Sequence, residues 1–251
     1  MEVHTHSHTA SPPAGRAGKK WFHYLWEFFM LFFAVTLGFF VENLREHHLE
    51  SIREKQYMQS LLADLKEDTA QINNSIANAL KALRYEDTII YFVYQHPPSG
   101  YLPNHYLDID LYALLRLKVI FNEATAQQLK NSGSLRLIHD QNAARAISLY
   151  WNQQEFTKIS LDRYLEYRNR GRQFEESLFT FSQGDLENAG LIPPSDKSVR
   201  VLRSDPAAWA EFSNIISHCH ITLVAYNDDL KKVFEMAKDL IALIRQEYHL
   251  K

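Results

Sequence analysis

The sequence predicts an all-α protein: a single N-terminal transmembrane helix continuing into an antiparallel bundle of about four long helices. Three observations carry this. Residues 21–41, WFHYLWEFFMLFFAVTLGFFV, form an apolar run with one charge, Glu27. At 1.5 Å per residue such a run spans about 31 Å as a helix, the thickness of a bilayer's hydrocarbon core. The chain has only eight Gly and eight Pro in 251 residues, too few for a β-rich or disordered body. Between its proline-bearing breaks, apolar residues recur every three or four positions.

Residues 1–20, MEVHTHSHTASPPAGRAGKK, lack an apolar period and read as a disordered polar tail. His4, His6 and His8 alternate in it and offer at most weak metal chelation. The span does not read as a cleaved leader, because it ends in Phe39, Phe40, Val41 and Glu42 rather than in small residues. Trp21, Tyr24 and Trp26 cluster at its start, as aromatic rings do at the headgroup layer. Glu27, Leu31, Ala34, Gly38 and Glu42 share one helix face. Ala34 and Gly38 make a small-xxx-small pair that admits a second helix. Glu27 therefore has three readings: snorkelling to the headgroups, bonding to another helix, or carrying protons.

Arg16, Lys19 and Lys20 precede the span, and Arg45, Arg53 and Lys55 follow it. The three charges closest to the span favour an N-terminus kept inside and a domain outside. The expected organisation is a tail over 1–20, a transmembrane helix over 21–41 and a bundle over 42–251.

No Gly or Pro interrupts 39–96, so Glu42–Tyr94 is expected as one helix or two joined by a kink. Leu61, Leu65, Asp68, Ile72, Ile76, Leu80, Leu83, Asp87 and Ile90 are its expected inner face. HPPSGYLPNH, 96–105, breaks it. A helix is expected over Asp108–Lys130, stopped by Asn131-Ser132-Gly133 with Gly133 as a left-handed cap. A connector, 134–139, leads to an aromatic-rich helix over Asp140–Phe181. A loop over 183–206 precedes the last helix, capped by Asp205 with Pro206 in its first turn and reaching Tyr248.

Net charge is −3, so no basic footprint points to nucleic acid. The single Cys219 excludes an intrachain disulfide and a cysteine metal cluster. No HExxH, GxSxG, P-loop or GxGxxG occurs, and no histidine follows a glutamate by three, as di-iron bundles require. His218 and His220 lie about 200° apart on a helix and cannot share an ion. His47 and His48 are likewise divergent, and His96 and His105 flank the proline-rich break. No catalytic, cofactor or metal residue is therefore expected.

Three stretches carry a resemblance: EFFMLFFAVTLGFFVEN (27–43), REKQYMQSLLADLKEDT (53–69) and QLKNSGSLRLI (128–138). Together they resemble a family of uncharacterised single-span bacterial membrane proteins of unknown function. Its members have a short tail, an anchor with an early Glu, a helix with LxxDL-type repeats and a central LxxSGxLxLI segment. The resemblance covers most of 19–140 and fades in the last third. It implies an anchored helical domain in a bacterial envelope and implies no activity.

The expected function is that of a non-enzymatic, membrane-anchored interaction or scaffold protein. Its expected partners are membrane lipid and either a second copy of itself or another envelope protein. The alternatives are an extracytoplasmic ligand sensor, with a pocket lined by aromatics between Tyr150 and Phe181, and a subunit of an ion-driven or channel-like assembly.

Overall fold

The computed structural model describes residues 17–95, 101–102, 116–179 and 199–250. The histidines of the tail, His96, His105 and the start of the expected helix at Asp108 lie outside the described residues. The chain divides into two compact units, Met1–Arg53 and Glu54–Lys251. The described residues form four α-helices: α1 (Ala17–Gln95), α2 (Ala124–Asn131), α3 (Gln141–Leu178) and α4 (Pro206–Tyr248). Two-residue strands β1 (Tyr101–Leu102) and β2 (Val199–Arg200) pair antiparallel, and Phe179 bridges to Val201.

In the first unit, every described side chain from Trp21 to Val41 is exposed except Leu25, which is half-buried. It contains a helical stretch long and apolar enough to cross a membrane, with a mean hydropathy of 1.9.

In the second unit the core is built on heptads. The buried seam of α1 runs Glu54, Met58, Leu61, Leu65, Asp68, Ile72, Ser75, Ala79, Ala82, Glu86, Ile89 and Val93. Those steps alternate strictly between three and four residues, a period of about 3.5, as in coiled coils. Helix α3 repeats the rule through Ala143, Ile147, Tyr150, Gln154, Thr157, Leu161 and Tyr164, and α4 through Trp209, Phe212, Ile216, Cys219, Leu223, Tyr226, Leu230 and Val233.

This corrects the expected inner face of α1. Up to Ile72 the expectation holds. Beyond it the seam passes through Ser75, Ala79, Ala82 and Glu86 rather than Leu80 and Asp87, which are exposed; Ile76, Leu83 and Ile90 are half-buried. Following the largest apolar residues shifts the register by one, whereas the small residues on the true seam let neighbouring chain approach α1 closely.

The hydrogen bonds set directions. Asp68 bonds Tyr150 and Gln154, and Glu54 bonds His139, so α3 runs parallel to α1. Tyr248 meets Glu54 and Cys219 meets Glu86, so α4 runs antiparallel to it. The segment 116–139 returns between them. Its residues 116–123 are not helical, contrary to the helix expected over Asp108–Lys130. The reason lies on α1: Asp68 accepts from Asn122 N at 2.7 Å, Asp64 from Thr125 N at 3.2 Å, and Ser75 donates to Lys118 O at 3.0 Å. Side chains thus satisfy backbone groups that a helix would pair internally. Leu117 and Phe121 are buried and Val119 half-buried, while Lys118 and Ile120 are exposed, a period of two that suits extended chain.

Local signals act as expected. Helix α1 ends at Gln95, before His96-Pro97-Pro98. Gly133 has φ 66°. Asp205 caps α4 through Ala208 N, and Asp140, expected as the first residue of its helix, instead caps α3 through Asn142 N and Ala143 N. Where α3 ends and α4 begins, Phe179, Trp209 and Phe212 pack ring to ring with centroids 6.0–6.4 Å apart.

Candidate functional site

Helix α1 buries three carboxylates along its seam, and each gathers a different part of the bundle. A buried acid is costly unless its oxygens are hydrogen-bonded, so these positions are where chemistry is most concentrated.

Glu54 accepts from His139 N at 2.8 Å and from Tyr248 Oη at 2.6 Å, and its Oε2 lies 2.7 Å from His139 Nδ1. It ties the lead-in of α3 and the last turn of α4 to α1. Burial, then the nearby Glu54 carboxylate, pushes the Tyr248 hydroxyl pKa up.

Asp68, 1 % exposed, accepts from Asn122 N, Tyr150 Oη at 2.7 Å and Gln154 Nε2 at 3.1 Å. Burial raises its pKa, and the bonds from Asn122 and Tyr150 only partly oppose this. The Tyr150 hydroxyl is pushed up by burial and by the Asp68 carboxylate.

Glu86 is fully buried. The Cys219 thiol donates to its Oε1 at 3.2 Å, and His220 Nδ1 lies 3.4 Å from its Oε2. His220 Nε2 lies 3.7 Å from Asp87 Oδ1. Burial pushes the Glu86 pKa up, against the pull of His220 and Cys219. Burial and the neighbouring Glu86 also push the Cys219 thiol up, so it stays a thiol and is a poor nucleophile. Its burial also places it out of reach of an interchain disulfide.

The heptad is the sequence signal that would have found Glu54 and Glu86. Continued by threes and fours from Leu61 and Leu65, it lands on both. Large-residue periodicity reached Asp68 but chose Asp87 over Glu86.

The residues singled out in the span lie elsewhere. Glu27, Leu31, Ala34 and Gly38 are exposed, and a Cβ added at Gly38 would meet nothing within 4 Å. Trp21, Tyr24 and Trp26 are exposed as well. His218 stacks on Tyr167, with centroids 5.3 Å apart. Among the described residues, no three His, Cys, Asp or Glu side chains are grouped to hold a metal.

The aromatics of α3 divide between core and surface. Tyr150, Trp151 and Tyr164 are buried, Tyr167 and Phe174 half-buried, and Phe156 exposed. A shallow groove of about 280 Å³, lined by Val93, Tyr94, Trp209, Ser213 and Asn214 among others, lies at the far end of the bundle. It contains none of the three carboxylates.

No protein-family model, curated protein or solved structure matches this chain. What fold and site establish is a helical protein with one possible membrane-spanning helix near its N-terminus.

Proposed function

We propose that this chain is a non-enzymatic, membrane-anchored helical scaffold of a bacterial envelope. Residues 21–41 cross the inner membrane, 1–20 remain inside, and Glu42–Lys251 stands outside. There the bundle binds a second copy of itself or another envelope protein.

The observation that carries this reading is the uncovered apolar stretch Trp21–Val41. Leaving large side chains such as Phe28, Phe32, Leu37 and Phe40 in water costs about 1.5–3 kcal/mol each relative to burial. Lipid removes that cost, and the helix satisfies its own backbone groups within it. The bundle's carboxylates favour a structural role, because Glu54, Asp68 and Glu86 bond other parts of the same bundle. Leu149, Phe156 and Ile159 are exposed within about 80° of one another on α3 and offer the bundle an apolar contact face. Orientation follows from Arg16, Lys19 and Lys20, which the cytoplasmic potential and anionic lipid hold back.

A cysteine at Lys232, exposed on α4, tests the sidedness, with wild-type Cys219 serving as a buried, silent control. Lys232→Cys should react with an impermeant maleimide in intact cells. Reaction only after permeabilisation would place the bundle in the cytoplasm and end the envelope reading. Cross-linking the same membranes should trap a species larger than the monomer. A monomer mass alone at every cross-linker length would defeat the scaffold reading.

A further inference from the structure

His220 has a carboxylate facing each of its ring nitrogens. Glu86 Oε2 is 3.4 Å from Nδ1, and Asp87 Oδ1 is 3.7 Å from Nε2. Both acids belong to α1, and the histidine belongs to α4. A neutral imidazole has one N–H and one lone pair, so in either tautomer it turns a lone pair towards one carboxylate. Only the imidazolium presents an N–H to both. Cys219, on α4, bonds the other oxygen of Glu86. On α3, the Tyr164 hydroxyl is raised by Cys219 and Glu86, and Arg168 and Glu175 act on the Cys219 thiol.

We propose that His220 is a proton-operated latch that holds α4 to α1 when its imidazole is charged and loosens that contact when it becomes neutral. The Glu86 carboxylate beside Nδ1 raises the histidine's pKa above its ordinary value, against the effect of burial, and Asp87 adds to the rise. A raised folded-state pKa fixes the sign. While Glu86 stays ionised, the latch contributes fully below the histidine's unfolded value of about 6.5 and is lost as pH rises through the folded value. The device lies within the bundle, so its test does not depend on which side of the membrane the bundle occupies.

Cys219, the chain's only cysteine and the neighbour of His220, is a built-in reporter. It is fully buried, so it reacts only when this part of the bundle opens. The full chain in detergent micelles is treated with an aromatic disulfide reagent, and rates are compared between variants at the same pH. His220→Gln should react on the order of tenfold faster than wild type at about pH 5.5 and equally fast at about pH 8.5, where the wild-type latch is itself open. His220→Arg should stay slow at both. A His220→Gln to wild-type ratio that does not change with pH overturns the proposal. A second measurement needs no variant to fold. In the wild-type chain labelled with 15N-histidine, the His220 ring should titrate above about 6.5. A midpoint at or below that value overturns the latch equally.

Discussion

Helix α1 holds two regions that treat apolar and acidic residues in opposite ways. From Trp21 to Val41, the phenylalanines and every leucine but the half-buried Leu25 stand exposed. From Glu54 to Val93, one seam alternating by threes and fours is buried, and it includes Glu54, Asp68 and Glu86. Helical propensity is shared by both regions and explains neither pattern. What differs is what the side chains meet. The bundle region faces other helices that supply apolar contact and hydrogen bonds, so it can bury acids. The apolar region has no protein cover in its own unit and is suited to a medium that is itself apolar. Large residues therefore mark the core only where another part of the chain covers them.

The largest expected effect separates the regions by stability. Trp209→Ala removes a buried ring from the Phe179–Trp209–Phe212 group and should cost about 3–5 kcal/mol of bundle stability. Phe32→Ala in the apolar region should leave the urea midpoint of the bundle unchanged. Equal losses would mean that the two regions are one packed body, and the contrast would fail.

A smaller effect concerns the acids. Burial raises the Asp68 pKa, so the folded state binds that proton more tightly than the unfolded chain does. Its contribution to stability is present below an unfolded pKa of about 3.9 and declines as pH rises through the folded value. Asp68→Asn keeps an acceptor for Asn122 N and should flatten this part of the slope, read as urea midpoints between about pH 4 and pH 7. A slope identical to wild type would show that Asp68 does not titrate in the folded bundle's range.

The smallest effect belongs to the span. Gly38→Leu fills the open side of the Ala34/Gly38 pair and should weaken self-association in a membrane reporter assay by a few-fold. An unchanged signal would assign association to the bundle alone.

The sequence by itself determined the features that depend on neighbours a few residues away. The apolar length of 21–41 needs only composition. The end of α1 before Pro97, the left-handed turn at Gly133 and the cap at Asp205 need only the local preferences of proline, glycine and aspartate. The all-α class followed from these signals and the spacing between them. Tertiary structure alone decided the register of α1 beyond Ile72, the extended path of 116–123 and the placement of the buried acids. Each rests on distant partners: Ser75 with Lys118, Asp68 with Asn122 and Tyr150, Glu86 with Cys219 and His220. Helical periodicity reports which residues share a face. Whether that face buries a leucine or an acid depends on the donors opposite it, and those donors lie some 50 to 190 positions away in the chain.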